Sequence, residues 1–197
     1  MALTQSTPLP FPATDNTEPV VQPLQQDILV EFAEQFTKLQ GKFAFCQDEQ
    51  ELKEQFEALR AQQGWTKVFK KDDLLPGLVD ASHITSDLVH CDASVTDCEA
   101  LVARTGSLVL SAANSGGRLT SVYAPVHVCV AYASQLVYDI SDALTALQQK
   151  YKGQLPSLVT FATGPSRTAD IEKTLVTGVH GPKEVYLFLI DDLGATS

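Results

Sequence analysis

The chain has 197 residues and is 44% hydrophobic, enough to bury a core without staples and too apolar for a disordered chain. Its net charge of −10 repels phosphate backbones and anionic membrane surfaces at long range, which argues against nucleic acid as a main partner. Its longest clean apolar run, Val185–Ile190, is far short of the roughly 20 residues of a membrane span.

Residues 1–23 hold five of the ten prolines among Thr, Ser and Gln, and read as a flexible leader ahead of one domain over residues 24–197. The first 37 residues lack Lys and Arg, so no secretory n-region is visible and the expected compartment is the cytoplasm. Leu24, Ile28, Phe32, Phe36 and Leu39 recur at helical spacing before Gly41. Lys42–Cys46 reads as a strand. Asp48 with Glu51 forms a capping-box pattern for a second helix, whose stripe is Leu52, Phe56 and Leu59, closed by Gly64. Trp65–Phe69 and a segment near Leu88–His90 read as strands. Thr96 with Glu99 repeats the capping-box pattern and predicts a short helix over Asp97–Arg104.

Ser107–Ser111 reads as a strand, Ala112–Gly117 as a small-residue loop and Val126–Tyr132 as a buried strand. Ile140, Leu144, Leu147 and Tyr151 mark a third long helix before Gly153. A strand at Leu158–Ala162, a loop at Thr163–Arg167, a helix at Thr168–Val176 and a strand at Val185–Ile190 complete the chain. Buried strands alternating with helices predict a three-layer α/β/α domain with a mostly parallel or mixed sheet.

Two glycine-bearing segments form the candidate site. In the first, Gly164, Ser166, Arg167, Thr168 and Glu172 are expected at a strand-to-helix junction, where free helix N–H groups and a guanidinium grip an anion. The plainer alternative is a helix cap in which Asp170 and Glu172 offset the helix dipole. In the second, Ser111, Asn114 and Arg118 supply donors, and Gly116 and Gly117 allow close backbone approach to a ligand. The chain has four arginines, and Arg104, Arg118 and Arg167 lie in or beside these segments. The expectation is that both segments converge on one pocket for a small anionic ligand.

Other chemistry is sparse. Cys46, Cys91, Cys98 and Cys129 are scattered, and the group His83, His90, Cys91 and Cys98 has poor spacing for zinc or an iron–sulfur cluster, so no metal site is assigned. His127 alternates with valines and reads as a hydrogen-bonded core histidine. Ser166 has no neighbouring His and Asp to make it a nucleophile.

The run Thr163–Glu172 (TGPSRTADIE), continuing to Gly178-Val179-His180-Gly181-Pro182, resembles the signature of the lactate-utilization (LUD) domain family. Thr105–Ser111 (TGSLVLS) and Pro125–Val128 (PVHV) are similar to its second block, and the resemblance spans roughly Leu24 to Asp191. It implies a fold like ribose-5-phosphate isomerase, CoA transferases and 5-formyltetrahydrofolate cyclo-ligase. It also implies a place in a three-component bacterial system that oxidises L-lactate to pyruvate, in which two partner components carry the iron–sulfur clusters and this chain binds no cofactor. Two departures stand out: Arg104 where the family has an acidic residue, and Ala-Ala-Asn-Ser-Gly-Gly-Arg after Ser111 in place of a Gly-Pro-rich loop. The rival readings are a stand-alone enzyme acting on a nucleotide, CoA ester or phosphosugar, and a ligand-sensing module without catalysis.

Overall fold

The computed structural model describes residues 23–24, 26–70, 74–113, 119–169, 175–178 and 180–194. Residues 1–22 of the expected leader, and Asn114, Gly116, Gly117, Arg118 and Glu172, lie outside the described residues.

Helix α1 spans Ile28–Lys38. It begins there because Asp27 accepts hydrogen bonds from the N–H groups of Leu29 and Val30, which leaves Leu24 ahead of the helix and exposed. Phe32 and Phe36 are its buried stripe. Strand β1 (Lys42–Cys46) leads into α2 (Glu49–Gln63). Asp48 accepts from the Glu51 N–H, but the Glu51 carboxylate reaches back one residue further than expected, to the N–H of Gln47. Gly64, at φ 71°, ends α2.

The strands that follow are β2 (Val68–Phe69), β3 (Ile84–Thr85), β4 (Ala93–Thr96), β5 (Ala100–Val102) and β6 (Ser107–Ser111). A short helix α3 (Thr120–Tyr123) precedes β7 (Val126–Tyr132) and β8 (Leu136–Val137). Helix α4 (Ile140–Lys150), β9 (Val159–Ala162), β10 (Arg167–Ala169), β11 (Leu175–Thr177) and β12 (Glu184–Ile190) complete the order.

The main sheet has six strands in the order β1-β12-β7-β4-β2-β3, and every pairing in it is parallel. With helices on its faces it gives the expected α/β architecture. A second sheet, β8-β5-β6-β9, is interposed on one side, and β10 and β11 pair as an antiparallel two-stranded ribbon. The period of two along the strands sets two cores. Val128 and Val130 face α2 with Leu52, Phe56 and Trp65, whereas Cys129 and Ala131 face α1 and the second sheet with Phe32, Phe36, Leu101 and Leu108. Helix α4 covers the outer side of the second sheet through Ala143 and Leu147. No helix among the described residues is long and apolar enough to cross a membrane.

Four local expectations are corrected. Asp97–Arg104 is not a helix: β5 and a 3-10 turn at Ala103–Thr105 occupy it. The would-be capping groups are engaged elsewhere, Thr96 with His127 and Glu99 with Ser111. The helix expected over Thr168–Val176 is replaced at its described ends by strands, since Arg167–Ala169 and Leu175–Thr177 pair across the ribbon, with Thr168 opposite Val176. Leu88–His90 is a turn, because the Asp87 carboxylate collects the N–H groups of Val89 and His90. The Trp65–Phe69 strand shrinks to two residues because the Thr66 and Lys67 N–H groups go to Asp92 and not to a neighbouring strand.

Candidate functional site

The two glycine segments meet only in part. Strands β6 and β9 run antiparallel, so Ser107 sits beside Thr163 and their hydroxyl oxygens are 2.8 Å apart, with Thr105 Oγ1 a further 2.7 Å from Ser107 Oγ. Ser111 is at the far end of β6, opposite Val159 and roughly 13 Å along the strand. Ser111 is therefore not brought to Gly164 and Arg167.

What approaches the glycines is helix α1. Gly106 has φ 61°, and a Cβ there would lie 2.6 Å from the backbone nitrogen of Phe36. Gly164 has φ 76°, and its Cβ would lie 2.5 Å from the carbonyl oxygen of Leu39. Arg167 is exposed and donates to that same Leu39 carbonyl, which places a cation at the negative end of α1. The Ser166 N–H donates to the Pro182 carbonyl, and its own carbonyl accepts from Gly178. Leu39 and Pro182 precede β1 and β12, so this loop lies at the amino ends of the parallel strands. Ligands in open parallel sheets bind at the carboxyl ends. With Thr168 in a strand, the junction also lacks the helix N-terminus on which the anion expectation rested.

At the other end of β6 a buried carboxylate organises the neighbourhood. Glu99 accepts from Ser111 Oγ at 2.5 Å, Tyr151 Oη at 2.7 Å and Lys150 Nζ at 2.7 Å. Its side chain is 1% exposed, against 60% for that of Lys150. Burial pushes its pKa up, but the hydrogen bonds from Lys150, Ser111 and Tyr151 outweigh that and hold it below the ordinary value. The Ala113 N–H donates to Ser111 Oγ, so the network fixes the first residues after β6. An ionised carboxylate with its oxygens already engaged is a weak base, and Ser111 donates to it without a histidine relay, so the group positions the loop. Glu99→Ala is expected to destabilise the protein by about 2–4 kcal/mol, since it strands a lysine and two hydroxyls. Urea unfolding at neutral pH tests this, and a loss below that of an exposed Glu54→Ala control would contradict it.

No local pattern marks Glu99, Lys150 and Tyr151 as one group: Glu99 falls in a capping-box pattern, and the pairing that brings Lys150 of α4 to it spans 51 residues. Arg104, at the position where an acid was expected, donates through Nε and Nη2 to Asp139, the N-cap of α4. His127 is the expected core histidine, 1% exposed with Nε2 2.8 Å from Thr96 Oγ1. All four cysteines are free and buried, and His90 pairs with Asp87 on the surface. No group of three or more potential metal ligands occurs among the described residues.

The LUD domain family model matches residues 60–190, from late α2 to the end of β12. The chain belongs to the LUD domain family. A protein named lactate utilization protein C from Shouchella clausii (strain KSM-K16) is 34% identical over 102 residues, covering 51% of this chain and 44% of the relative. The protein of the same name from Bacillus subtilis (strain 168) is 32% identical over 100 residues, covering 50% and 42%. The LUD chain thus matches somewhat less than half the length of these curated relatives. Among solved structures, a DUF162 family protein from Deinococcus radiodurans superposes with a TM-score of 0.62 at 19% identity, covering 83% of this chain and 96% of that one. That likeness establishes the shared fold.

Proposed function

We propose that this LUD protein is the non-iron–sulfur component of a bacterial system that oxidises L-lactate to pyruvate, supplying a pocket for a small anionic ligand or a docking surface for two iron–sulfur partners. The observation that carries it is the similarity to relatives named lactate utilization protein C, together with a family match over residues 60–190 that includes both signature blocks.

Chemistry divides the labour. Lactate oxidation releases two electrons and two protons, and the electrons need a cofactor. The four thiols here are buried, and burial raises the pKa of Cys46 to about 11 and pushes up that of Cys91, which disfavours the thiolates that ligate iron. We therefore assign the electron carriers to the partners. Deleting the gene in its source organism is expected to abolish growth on L-lactate as sole carbon source while sparing growth on pyruvate. Tagged full-length protein, purified anaerobically from the native host, is expected to bring iron and acid-labile sulfide with it. Normal growth on L-lactate together with an iron-free eluate would overturn the proposal.

A further inference from the structure

Strand β1 is an outer strand of the main sheet and pairs only with β12 among the described residues. The Asp191 N–H donates to the Cys46 carbonyl, so Cys46, and with it Ala44 and Lys42, turn their main-chain groups towards β12. Phe43 and Phe45 turn theirs the other way, where no main-chain partner occurs among the described residues. Natural sheets blunt such an edge with a charge, a proline, a bulge or a very short strand. The opposite edge obeys that rule, since β3 has two residues. Strand β1 does not. Its five residues pair with β12 in unbroken register, it contains no proline, and its one charge, Lys42, stands at its start.

We infer that β1 is an interface between two copies of this chain, paired antiparallel about a two-fold axis at Ala44. The outward groups fix that register. With Ala44 opposite Ala44 of the second copy, Phe43 faces the second copy's Phe45, and each such pair exchanges both main-chain bonds. The outward N–H and carbonyl of Phe43 and Phe45 are then all satisfied.

The side chains agree with this register. Phe43 and Phe45 lie on the α1 side, where Phe43 packs against Phe32 with ring centroids 6.3 Å apart and Phe45 is 40% exposed. Pairing sets each Phe against a Phe, a favourable cross-strand contact. On the α2 side, Lys42 comes opposite the second copy's Cys46, whose thiol feels the negative charges of Asp48 and Glu51. The Lys42 ammonium donates to Glu184 and Tyr186 and has a third N–H to direct there. This attraction offsets locally the repulsion between two chains of net charge −10. Grooves of about 240 and 390 Å³ flank the strand, one at Ala44 and Leu59, the other at Phe45, Ile28 and Leu29, and leave room for the second copy's side chains. A second copy is the occupant, and not a foreign strand, because backbone, aromatic and charge patterns are self-complementary at one and the same register. The inference is independent of the proposed function.

Sedimentation equilibrium and hydrogen exchange on the full chain test it. A reversible monomer–dimer equilibrium is expected, with the Phe43 and Phe45 amides exchanging more slowly as concentration rises. Phe45→Pro removes an outward N–H without touching the β12 ladder, so it should abolish the dimer and leave the circular dichroism unchanged. Phe45→Ala keeps that N–H and should weaken the dimer by only roughly 2–30-fold, the loss of two cross-strand aromatic pairs. Ala44→Cys should cross-link two copies under mild oxidation, since facing Cα atoms of a non-hydrogen-bonded pair lie about 4.5 Å apart and the native thiols are buried. That cross-link decides the matter should Phe45→Pro fail to fold. A chain that stays monomeric, a dimer that survives Phe45→Pro, or no cross-link through residue 44 would overturn the inference. A monomer with protected Phe43 and Phe45 amides would instead give the edge to another segment of this chain. A monomer that retains a co-purified protein only while Phe45 is intact would give it to a foreign partner.

Discussion

Replacing Gly106 with alanine is expected to cost the fold roughly 2–5 kcal/mol, a large share of a domain's net stability. Two terms add. At φ 61° an L-residue loses about 1–2 kcal/mol to the clash of its Cβ with its own backbone. The new methyl would also lie 2.6 Å from Phe36 N, 2.7 Å from the Gln35 carbonyl carbon and 2.9 Å from Phe36 Cα. All three are helix backbone, so no flexible side chain can swing aside, and overpacking of this kind costs a further 1–3 kcal/mol or so. Phe36 is fully buried between α1 and both sheets, so the displacement spreads into the core. Gly64→Ala is the control, since φ is 71° there but no atom lies within 4 Å of the added Cβ. Urea midpoints for the two variants separate strain from crowding. Equal losses would show that α1 does not press on Gly106.

That contrast also explains which part of the site could be read from the sequence. The glycine segments are legible as special backbone positions, and at Gly106 and Gly164 a helix backbone comes close. The approaching group was not legible, because α1 lies some 70 and 125 residues earlier and no local pattern distinguishes a helix from a ligand. The elements that were legible carry their own signals. Asp48 and Gly64 bracket α2, the Phe32/Phe36 stripe defines α1, and the uninterrupted apolar run of β12 marks a strand buried on both faces.

The elements that were missed depend on distant partners. β5 is a strand because Leu101 pairs with Leu108 on one side and Leu136 on the other, and the short β10 exists only against β11. The local capping-box pattern of Thr96 and Glu99 masks the network that Glu99 forms with distant Ser111 and Lys150.

Acid should loosen the protein well before its carboxylates protonate, through His127. Burial lowers its pKa from 6.5 to about 4, because the ring is sealed against Thr96 on the α1 side of the sheet and an imidazolium there would be desolvated. The unfolded chain therefore takes up this proton first. Stability from the neutral imidazole is complete above pH 6.5, falls as the pH drops, and is fully lost near pH 4. At 1.36 kcal/mol per pKa unit the total is about 3 kcal/mol. Glu99 starts charged where His127 starts neutral but acts in the same direction, since its depressed pKa means that its contribution is lost only as the pH falls below the ordinary carboxylate value. Between pH 6.5 and 5 the slope should thus belong mainly to His127. His127→Gln keeps a polar group near Thr96 without a titrating one, so its urea midpoint should be lower than that of the native chain at neutral pH and nearly flat across that window. Parallel pH profiles for the two proteins would mean that the histidine is protonated in the folded state, and that solvent reaches a side chain that the packing of β4, β7 and α3 closes off.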